Sequence, residues 1–450
     1  MRRSLLLVAL ALTVPSVAVA DYERKPYLQD ARPDGMILMW KTRGASAATI
    51  VVTAPDGKES RFDVKSGVEQ RFRVTGLEPA TRYRYQVTAG GAVASGELTT
   101  APEPGAQVPV TFVVFGDSRS DAVAHYELVE RVRAEVPDFI LSTGDMVFDG
   151  GEEKLWKQFF DIEGPLLADN VLYPALGNHD WDDNSTGWVE RLFSPPADRQ
   201  APGQYAFTYG PVRVIVLESN TPSYAMTDET AWLERQLLAY QQDPKLRHLF
   251  LTMHHPVYSI SSHGGLTSLR EKWAPLFEKY GASAVFSGHD HCYQRAEHGG
   301  VRYFVTGGAG APLYGIGKRV SATDAAVVVR QETVHHYIRV HIVGDTAEVT
   351  AVRDDGTPIE TLTFASSKAK PADAVGQPAA DVAMGAAAPL PLVPPTADVT
   401  PAPTADVPAA AAPVRTGHRL PPRTLLGLGG LALLAAVGLW RLTRPEPRRA

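Results

Sequence analysis

The sequence predicts an α/β domain built on buried sheets, preceded by an all-β module and followed by a tail that joins neither. Three observations carry this. Between about residues 108 and 352, apolar runs end repeatedly in loops bearing Asp, Asn or His. Between residues 21 and 102 the apolar runs are short, two of them alternate with polar residues, and turn residues separate them. Beyond residue 366, Pro and Ala dominate until one uncharged stretch at 424–440.

Residues 1–20 place Arg2 and Arg3 before an apolar run at 5–12, a break at Pro15 and the small-x-small triplet Ala18-Val19-Ala20. This order is that of a secretory signal peptide cleaved after Ala20. In the 21–102 module, strands are expected at 36–40 (MILMW), 48–52 (ATIVV), 71–74 (RFRV) and 83–87 (YRYQV). Turns fall at 32–35 (RPDG), 55–57 (PDG) and 89–91 (AGG). Strands at this spacing suggest a β-sandwich. The stretch 77–85 (LEPATRYRY) resembles the corner of a fibronectin type III fold. That resemblance implies that Tyr83 bonds back to the backbone and that Trp40 is a core aromatic.

In the 108–352 domain, 110–115 (VTFVVF) leads into Gly116-Asp117-Ser118-Arg119, and 139–143 (FILST) into Gly144-Asp145. The run 172–176 (LYPAL) leads into Gly177-Asn178-His179-Asp180. Further on, 248–253 (HLFLTM) leads into His254-His255-Pro256, and 284–287 (AVFS) into Gly288-His289-Asp290-His291. Continuous apolar runs suit strands buried on both faces. Helices fit between them at 122–135 and 229–242. Side chains at the carboxyl ends of such strands are where open α/β sheets place their sites. Asp, Asn and His offer oxygen and nitrogen ligands for hard or borderline metals, and two neighbouring ions can hold a hydroxide and clamp a phosphate for in-line attack. Single Gly-Asp or His-x-His pairs are usually incidental; five such loops, each after an apolar run, are not.

The ordered set GDSR, GDMVF, GNHD, MHHP and GHDH resembles the calcineurin-like metallophosphoesterase superfamily. With a β module in front, the chain is most similar to the purple acid phosphatase branch, over about residues 22–352. The resemblance implies an αββα sandwich and two divalent or trivalent metal ions, drawn from Fe, Zn or Mn. It implies Asp117 and His291 as ligands of the first ion, Asp145 as the bridge, and Asn178, His254 and His289 as ligands of the second. Asn178 would also contact the substrate. His179 would touch the phosphoryl group and protonate the leaving oxygen, Asp180 would orient His179, and His263 matches a substrate-facing His. Two departures stand out. That branch binds ferric iron through a Tyr three residues after the bridging Asp, where this chain has Phe148. Other members place a His two residues after the first Asp, where this chain has Arg119. The first ion is thus left with three protein ligands, unless water or His125 completes it. The Arg119 guanidinium suits either a phosphate oxygen or an ion pair. His255 is expected to be structural, His125 to face solvent, Asp290 to point away from the metals, and Cys292 to be a buried, inert thiol.

Residues 366–423 contain a Pro/Ala-rich stretch (371–413) without an aromatic residue, which reads as a disordered stalk. Residues 424–440 carry no charge apart from their flanks' basic residues and would span roughly 25 Å as a helix. That is short but sufficient for a membrane-spanning helix. The basic tail 441–450 would then stay cytoplasmic, with the catalytic domain outside the cytoplasm at an inner membrane or cell surface. A processed sorting tail is the alternative. The formal charge of −6 gives no sign of a nucleic-acid-binding patch, and one cysteine excludes an intrachain disulfide. The expected function is an exported, membrane-anchored phosphoesterase acting on a small phosphorylated substrate by attack of a metal-bridged hydroxide, most simply a phosphomonoesterase of acid phosphatase type. The alternatives are a phosphodiesterase or nucleotide hydrolase with the same centre, and a surface-displayed binding protein with a degraded metal site.

Overall fold

In the computed structural model of the chain, residues 22–369 are described, apart from 182–186, 197 and 222–225. The chain divides into two units, Met1–Pro378 and Ala379–Ala450, and every described residue belongs to the first. The expected signal peptide and membrane helix lie outside the described residues, as does the expected stalk (366–423) beyond its first four residues. Ser366 is buried and Ser367–Ala369 form a short 3-10 helix tied to the domain by Lys368 Nζ donating to Asp243 O at 2.7 Å, so the stalk cannot begin at 366. Among those described, no helix is long and apolar enough to cross a membrane.

The first five strands are Tyr22–Arg32, Gly35–Thr53, Glu59–Thr75, Arg82–Ala89 and Ala92–Thr99. They form one hydrogen-bonded sheet rather than the two separate sheets of the expected sandwich. The reason is the length of the second strand, which runs through both of the apolar stretches predicted as separate strands. Its first half pairs with Tyr22–Arg32 and its second half with Arg82–Ala89, while Glu59–Thr75 pairs along both, with a register shift between Lys41 and Ala48. The alternation read at 83–87 is present. Tyr83, Tyr85 and Val87 are buried and Arg82, Arg84 and Gln86 exposed, as the two-residue period of a strand requires. The Tyr83 hydroxyl accepts the Glu78 N–H at 2.8 Å, and Trp40 is buried in the core. This sheet docks on the following domain through polar contacts. The Tyr27 hydroxyl donates to Leu192 O at 2.6 Å, Gln29 Oε1 accepts Ser194 N–H at 2.8 Å, and the Tyr85 hydroxyl donates to Ala168 O at 2.8 Å.

The remainder has four layers, α-β-β-α. One sheet holds six strands in the order Pro358–Ala365, Thr346–Arg353, His336–Val343, Val110–Phe115, Phe139–Ser142 and Val171–Pro174. The other holds eight, in the order Val328–Glu332, Tyr293–His298, Val301–Thr306, Ala284–Ser287, His248–Thr252, Val212–Val216, Gln204–Tyr209 and Arg199–Ala201. The last two strands of the first sheet in chain order carry the domain past residue 352, to Ala365.

Alternation along buried strands builds three apolar layers. Phe112 points between the sheets, where it stacks on Phe139 (4.9 Å) and meets Phe250 edge-on (5.1 Å). Its neighbours Val113 and Phe115 point outward, under helices Ala122–Ala134 and Glu153–Leu167. On the far side, Ile215, Leu249 and Leu251 lie under helix Thr227–Gln242. Each such side chain contributes about 2 kcal/mol through burial, so the layers hold the strand ends in fixed relation.

His125 differs from its expected place on a solvent-facing helix surface. It lies on the same helical face as Leu128, Val129 and Val132, where Nε2 sits 2.8 Å from Glu163 Oε1 in a fully buried pair. The helix starts at Asp121, whose carboxylate accepts the N–H groups of Val123 and Ala124 and turns the His125 face inward. His125 is thus committed between two helices, away from the loops at the strand ends.

Candidate metal centre

The five loops named by the sequence lie at the carboxyl ends of five strands. Val110–Phe115, Phe139–Ser142 and Val171–Pro174 are neighbouring parallel strands of one sheet, and His248–Thr252 and Ala284–Ser287 are neighbouring parallel strands of the other. The two sheets therefore present their ligand-bearing edges to a common place. Turning each strand sharply into that place takes unusual backbone. Asp117, Asp145 and His289 all have positive φ, at 56°, 53° and 68°. Left-handed backbone costs a non-glycine residue about 1 kcal/mol or more, and residues held this way cluster at functional sites.

Close approach explains the glycines that precede two of the ligands. A Cβ on Gly177 would lie 2.0 Å from Asp145 Oδ1, and one on Gly288 would lie 2.2 Å from Asp117 Oδ2. Only a hydrogen fits between the loops at these points.

Ligand atoms of Asp117, Asp145 and His254 lie within 4.8 Å of one another, and all three residues are buried. Hydrogen bonding fixes which imidazole nitrogens face the centre. His254 Nδ1 is 2.9 Å from Thr143 O, a carbonyl that can only accept, so Nδ1 carries the proton. Its Nε2 then faces Asn178 Oδ1 at 3.1 Å, Asp145 Oδ1 at 3.5 Å and His289 Nδ1 at 3.2 Å. His291 repeats the pattern, with Nδ1 donating to Pro312 O at 2.6 Å and Nε2 at 3.3 Å from Asp117 Oδ1. Two carboxylates, an amide oxygen and the Nε2 lone pairs of His254 and His291 thus gather in one place, with the His289 ring beside them. Cations relieve this, and an oxygen-plus-imidazole donor set suits divalent or trivalent ions of the iron, zinc and manganese kind. The six residues named as metal ligands in the sequence are the ones brought together here.

Two neighbours shape the Asp145 carboxylate. Burial alone would push Asp145 up, but the charges of His254, His179 and Arg119 overcome it and hold the carboxyl below its ordinary range. Arg119 Nε donates to Asp145 Oδ2 at 3.1 Å, and its guanidinium lies 5.5 Å from the Phe148 ring. Of the two uses open to Arg119, the structure has the ion pair. Phe148 is 54% exposed, on the outer side of Arg119 and 5.2 Å from the His179 ring.

Asp180 does not orient His179. Its carboxylate accepts four backbone N–H groups, from Gly177, Asp145, Met146 and Val147, at 2.8 to 3.3 Å. It is wholly buried and ties the Asp145 loop to the Asn178 loop. The His179 ring is held instead by the Phe148 carbonyl, which accepts from Nδ1 at 2.7 Å, while the His179 N–H donates to Asp145 Oδ1 at 3.0 Å. Burial draws His179 below its ordinary pKa, with the Asp145 carboxylate pulling the other way.

His263 stands at the edge of the centre, its ring 4.2 Å from that of His289, and its hydrogen bond to Asp290 raises its pKa. His255 is half-buried and bonded to Ser219, and burial pushes its pKa down to about 3. Cys292 is fully buried, and its thiol is pushed up to about 12 by burial, as an inert thiol should be. Sequence reasoning missed Tyr314, whose ring stacks on His291 at 4.1 Å and 16°. It lies eight residues past the buried strand Val301–Thr306, in a loop that carries no Asp, Asn or His, so no ligand-type residue marked it.

Residues 110–293 match the sequence model of the calcineurin-like phosphoesterase family, and the chain carries a domain of that family. Among curated relatives, a purple acid phosphatase of Glycine max is 26% identical over 279 residues, covering 56% of this chain and 58% of its own. The Fe(3+)-Zn(2+) purple acid phosphatase 12 of Arabidopsis thaliana is 24% identical over 314 residues, covering 62% and 66%. The chain spans about half the length of the first curated relatives it matches. The fold is similar to that of a purple acid phosphatase from yellow lupin (Lupinus luteus) seeds, with a TM-score of 0.66 at 16% identity over 76% of this chain and 74% of that one.

Gly177→Ala is expected to weaken metal binding about 10–100-fold, the usual cost of disturbing a group that orients a ligand, because the added methyl displaces Asp145. Metal titration of the variant, with circular dichroism to confirm the fold, checks this. Unchanged affinity would contradict the close approach.

Proposed function

We propose that this chain is a dinuclear-metal phosphoesterase that hydrolyses phosphate monoesters. The observation that carries this reading is the convergence of Asp117, Asp145, Asn178, His254, His289 and His291 at the carboxyl edges of two sheets. When bound, ions held by these residues supply Lewis acidity and charge neutralisation for attack of water on phosphorus. The rest of the chemistry belongs to the chain. Asp145, within reach of both Asp117 and His254, would help to hold both ions. Arg119 shares its positive charge with the Asp145 carboxylate. His179, fixed by the Phe148 carbonyl through Nδ1, keeps Nε2 for the substrate; in the doubly protonated ring, which the Asp145 carboxylate favours against burial, Nε2–H gives its proton to the leaving oxygen and leaves the ring neutral. Asp180 keeps the Asp145 and Asn178 loops in register, so both ion positions depend on it. The metal pair is drawn from Fe, Zn and Mn, and the Fe(3+)-Zn(2+) relative supports the first two.

We propose in addition that the chain is exported and anchored by its 424–440 segment. The support is the order of basic, apolar and small residues in 1–20 and the basic cluster after residue 440. Mass spectrometry of the protein from a membrane fraction is expected to give Asp21 as the first residue; a retained Met1 would refute export by cleavage.

Turnover is tested on the metal-loaded protein with para-nitrophenyl phosphate, its bis ester and an alkyl phosphate. The monoesters are expected to be the better substrates. His179→Asn should lower alkyl phosphate turnover by about 10²–10⁴-fold, as loss of a general acid does, with a smaller loss on the nitrophenyl ester and unchanged metal content. Preference for the bis ester would shift the assignment to a phosphodiesterase. No turnover of any ester by fully metallated protein would leave a binding protein.

A further inference from the structure

The segment between the fifth ligand and the sixth holds a carboxylate that the metal centre does not use. Asp290 lies between His289 and His291 and is wholly buried. The left-handed backbone of His289 turns the Asp290 side chain away from both of them. Its Oδ1 accepts from the His263 backbone N–H at 3.0 Å and from His263 Nδ1 at 2.9 Å. Its Oδ2 accepts from the Ser259 hydroxyl at 2.5 Å.

Ser259 is itself fixed. It is fully buried, and its Oγ accepts from Gln294 Nε2 at 3.0 Å and from the Ser261 N–H at 3.1 Å. Gln294 is buried too, and its Oε1 accepts the Ile260 N–H at 2.9 Å. The chain Gln294–Ser259–Asp290 is therefore saturated, and it clamps the 259–263 loop to the metal loop. Buried polar groups that are fully paired rigidify their surroundings. The end of this chain is His263, whose side chain is 41% exposed, against 0% for Asp290. Its ring sits 4.2 Å from His289 and 5.4 Å from Tyr314. With Nδ1 committed to Asp290, Nε2 is the ring atom left for a molecule bound beside the metals.

We infer that Asp290, backed by Ser259, is a positioning residue that holds His263 beside the metal centre as a partner for a phosphoryl oxygen. This rests on the phosphoesterase reading for the identity of the ligand, and on the hydrogen-bond chain for the role of Asp290. A buried carboxylate placed only to close the fold would have no reason to end on a half-exposed imidazole facing a metal ligand. The rotamer freedom of His263 is spent before substrate arrives, which is how positioning lowers the cost of binding.

The test uses inorganic phosphate as the probe, measured by calorimetry on metal-loaded, full-length protein. Five variants are compared: His263→Ala, Asp290→Asn, Ser259→Ala and the double variants His263→Ala/Asp290→Asn and His263→Ala/Ser259→Ala. Metal content is determined for each. His263→Ala is expected to weaken phosphate binding about tenfold, the value of one hydrogen bond to a charged group. Asp290→Asn should give a loss of similar size with unchanged metal content, and the double variant should bind no more weakly than His263→Ala alone. With para-nitrophenyl phosphate the losses should fall on KM more than on kcat. Ser259 touches no ligand, so Ser259→Ala guards against misfolding of the Asp290 variant. It should weaken phosphate binding about threefold, a fraction of one hydrogen bond, and should have no effect once His263 is Ala. The inference is overturned if the Asp290→Asn loss adds to that of His263→Ala, if it follows a loss of metal, or if Ser259→Ala binds phosphate like the wild type. Failure of wild-type turnover would sink the enzymatic reading alone, because the phosphate cycle is read without turnover. Absence of phosphate binding by the wild type would sink the inference.

Discussion

Two carboxylates, an amide oxygen and three imidazoles gathered in one place concentrate lone pairs and negative charge, which bound cations would offset. In this protein Asp117, Asp145, Asn178, His254, His289 and His291 do so in a largely buried place. Three of the six also hold left-handed backbone. An arrangement this unfavourable persists only where its surroundings over-determine it and where bound cations offset the repulsion. Much of the fold serves that end. The aromatic layer between the sheets fixes the strand ends, carbonyls of Thr143 and Pro312 fix the imidazole tautomers, and the Asp180 carboxylate gathers the N–H groups of two loops.

The distribution of these supports explains what could be read in advance. Strands buried on both faces must be apolar along their whole length, and a site at their carboxyl ends must follow each run directly. Both facts are local in sequence, so the ligand loops after Phe115, Thr143, Leu176, Met253 and Ser287 were legible. So was the two-residue alternation that buries Tyr83 and Tyr85. Contacts between distant segments were not. Asp180 follows His179 directly, which suggested a direct partnership, yet its four N–H donors come from its own turn and from a loop more than thirty residues away. His125 reads as a polar residue on a helix surface until Glu163, on another helix, is placed against it. The long Gly35–Thr53 strand was divided in two because its middle, KTRGASA, is polar; pairing with Glu59–Thr75 on either side of a bulge carries it through.

The departures from the resembling branch are also easier to interpret once placed. At the position of its iron-binding Tyr, Phe148 is turned outward and its carbonyl, not its ring, takes part in the site by holding His179. At the position where other members have a His ligand, Arg119 pairs with the Asp145 carboxylate. Together these changes exchange ligation for charge balance around Asp145. In the proposed metal centre they would leave the first ion dependent on Asp117, Asp145 and His291 among the described residues, with Tyr314 stacked against the last of these.

The central claim is that this cluster is held together as a site for two cations. It is tested most directly by the metal stoichiometry of protein purified without chelator and then titrated with iron, zinc or manganese. Two ions per chain are expected, with thermal stability rising as they bind and falling when they are stripped. A stoichiometry of one or none at saturation, with stability indifferent to metal, would contradict the account.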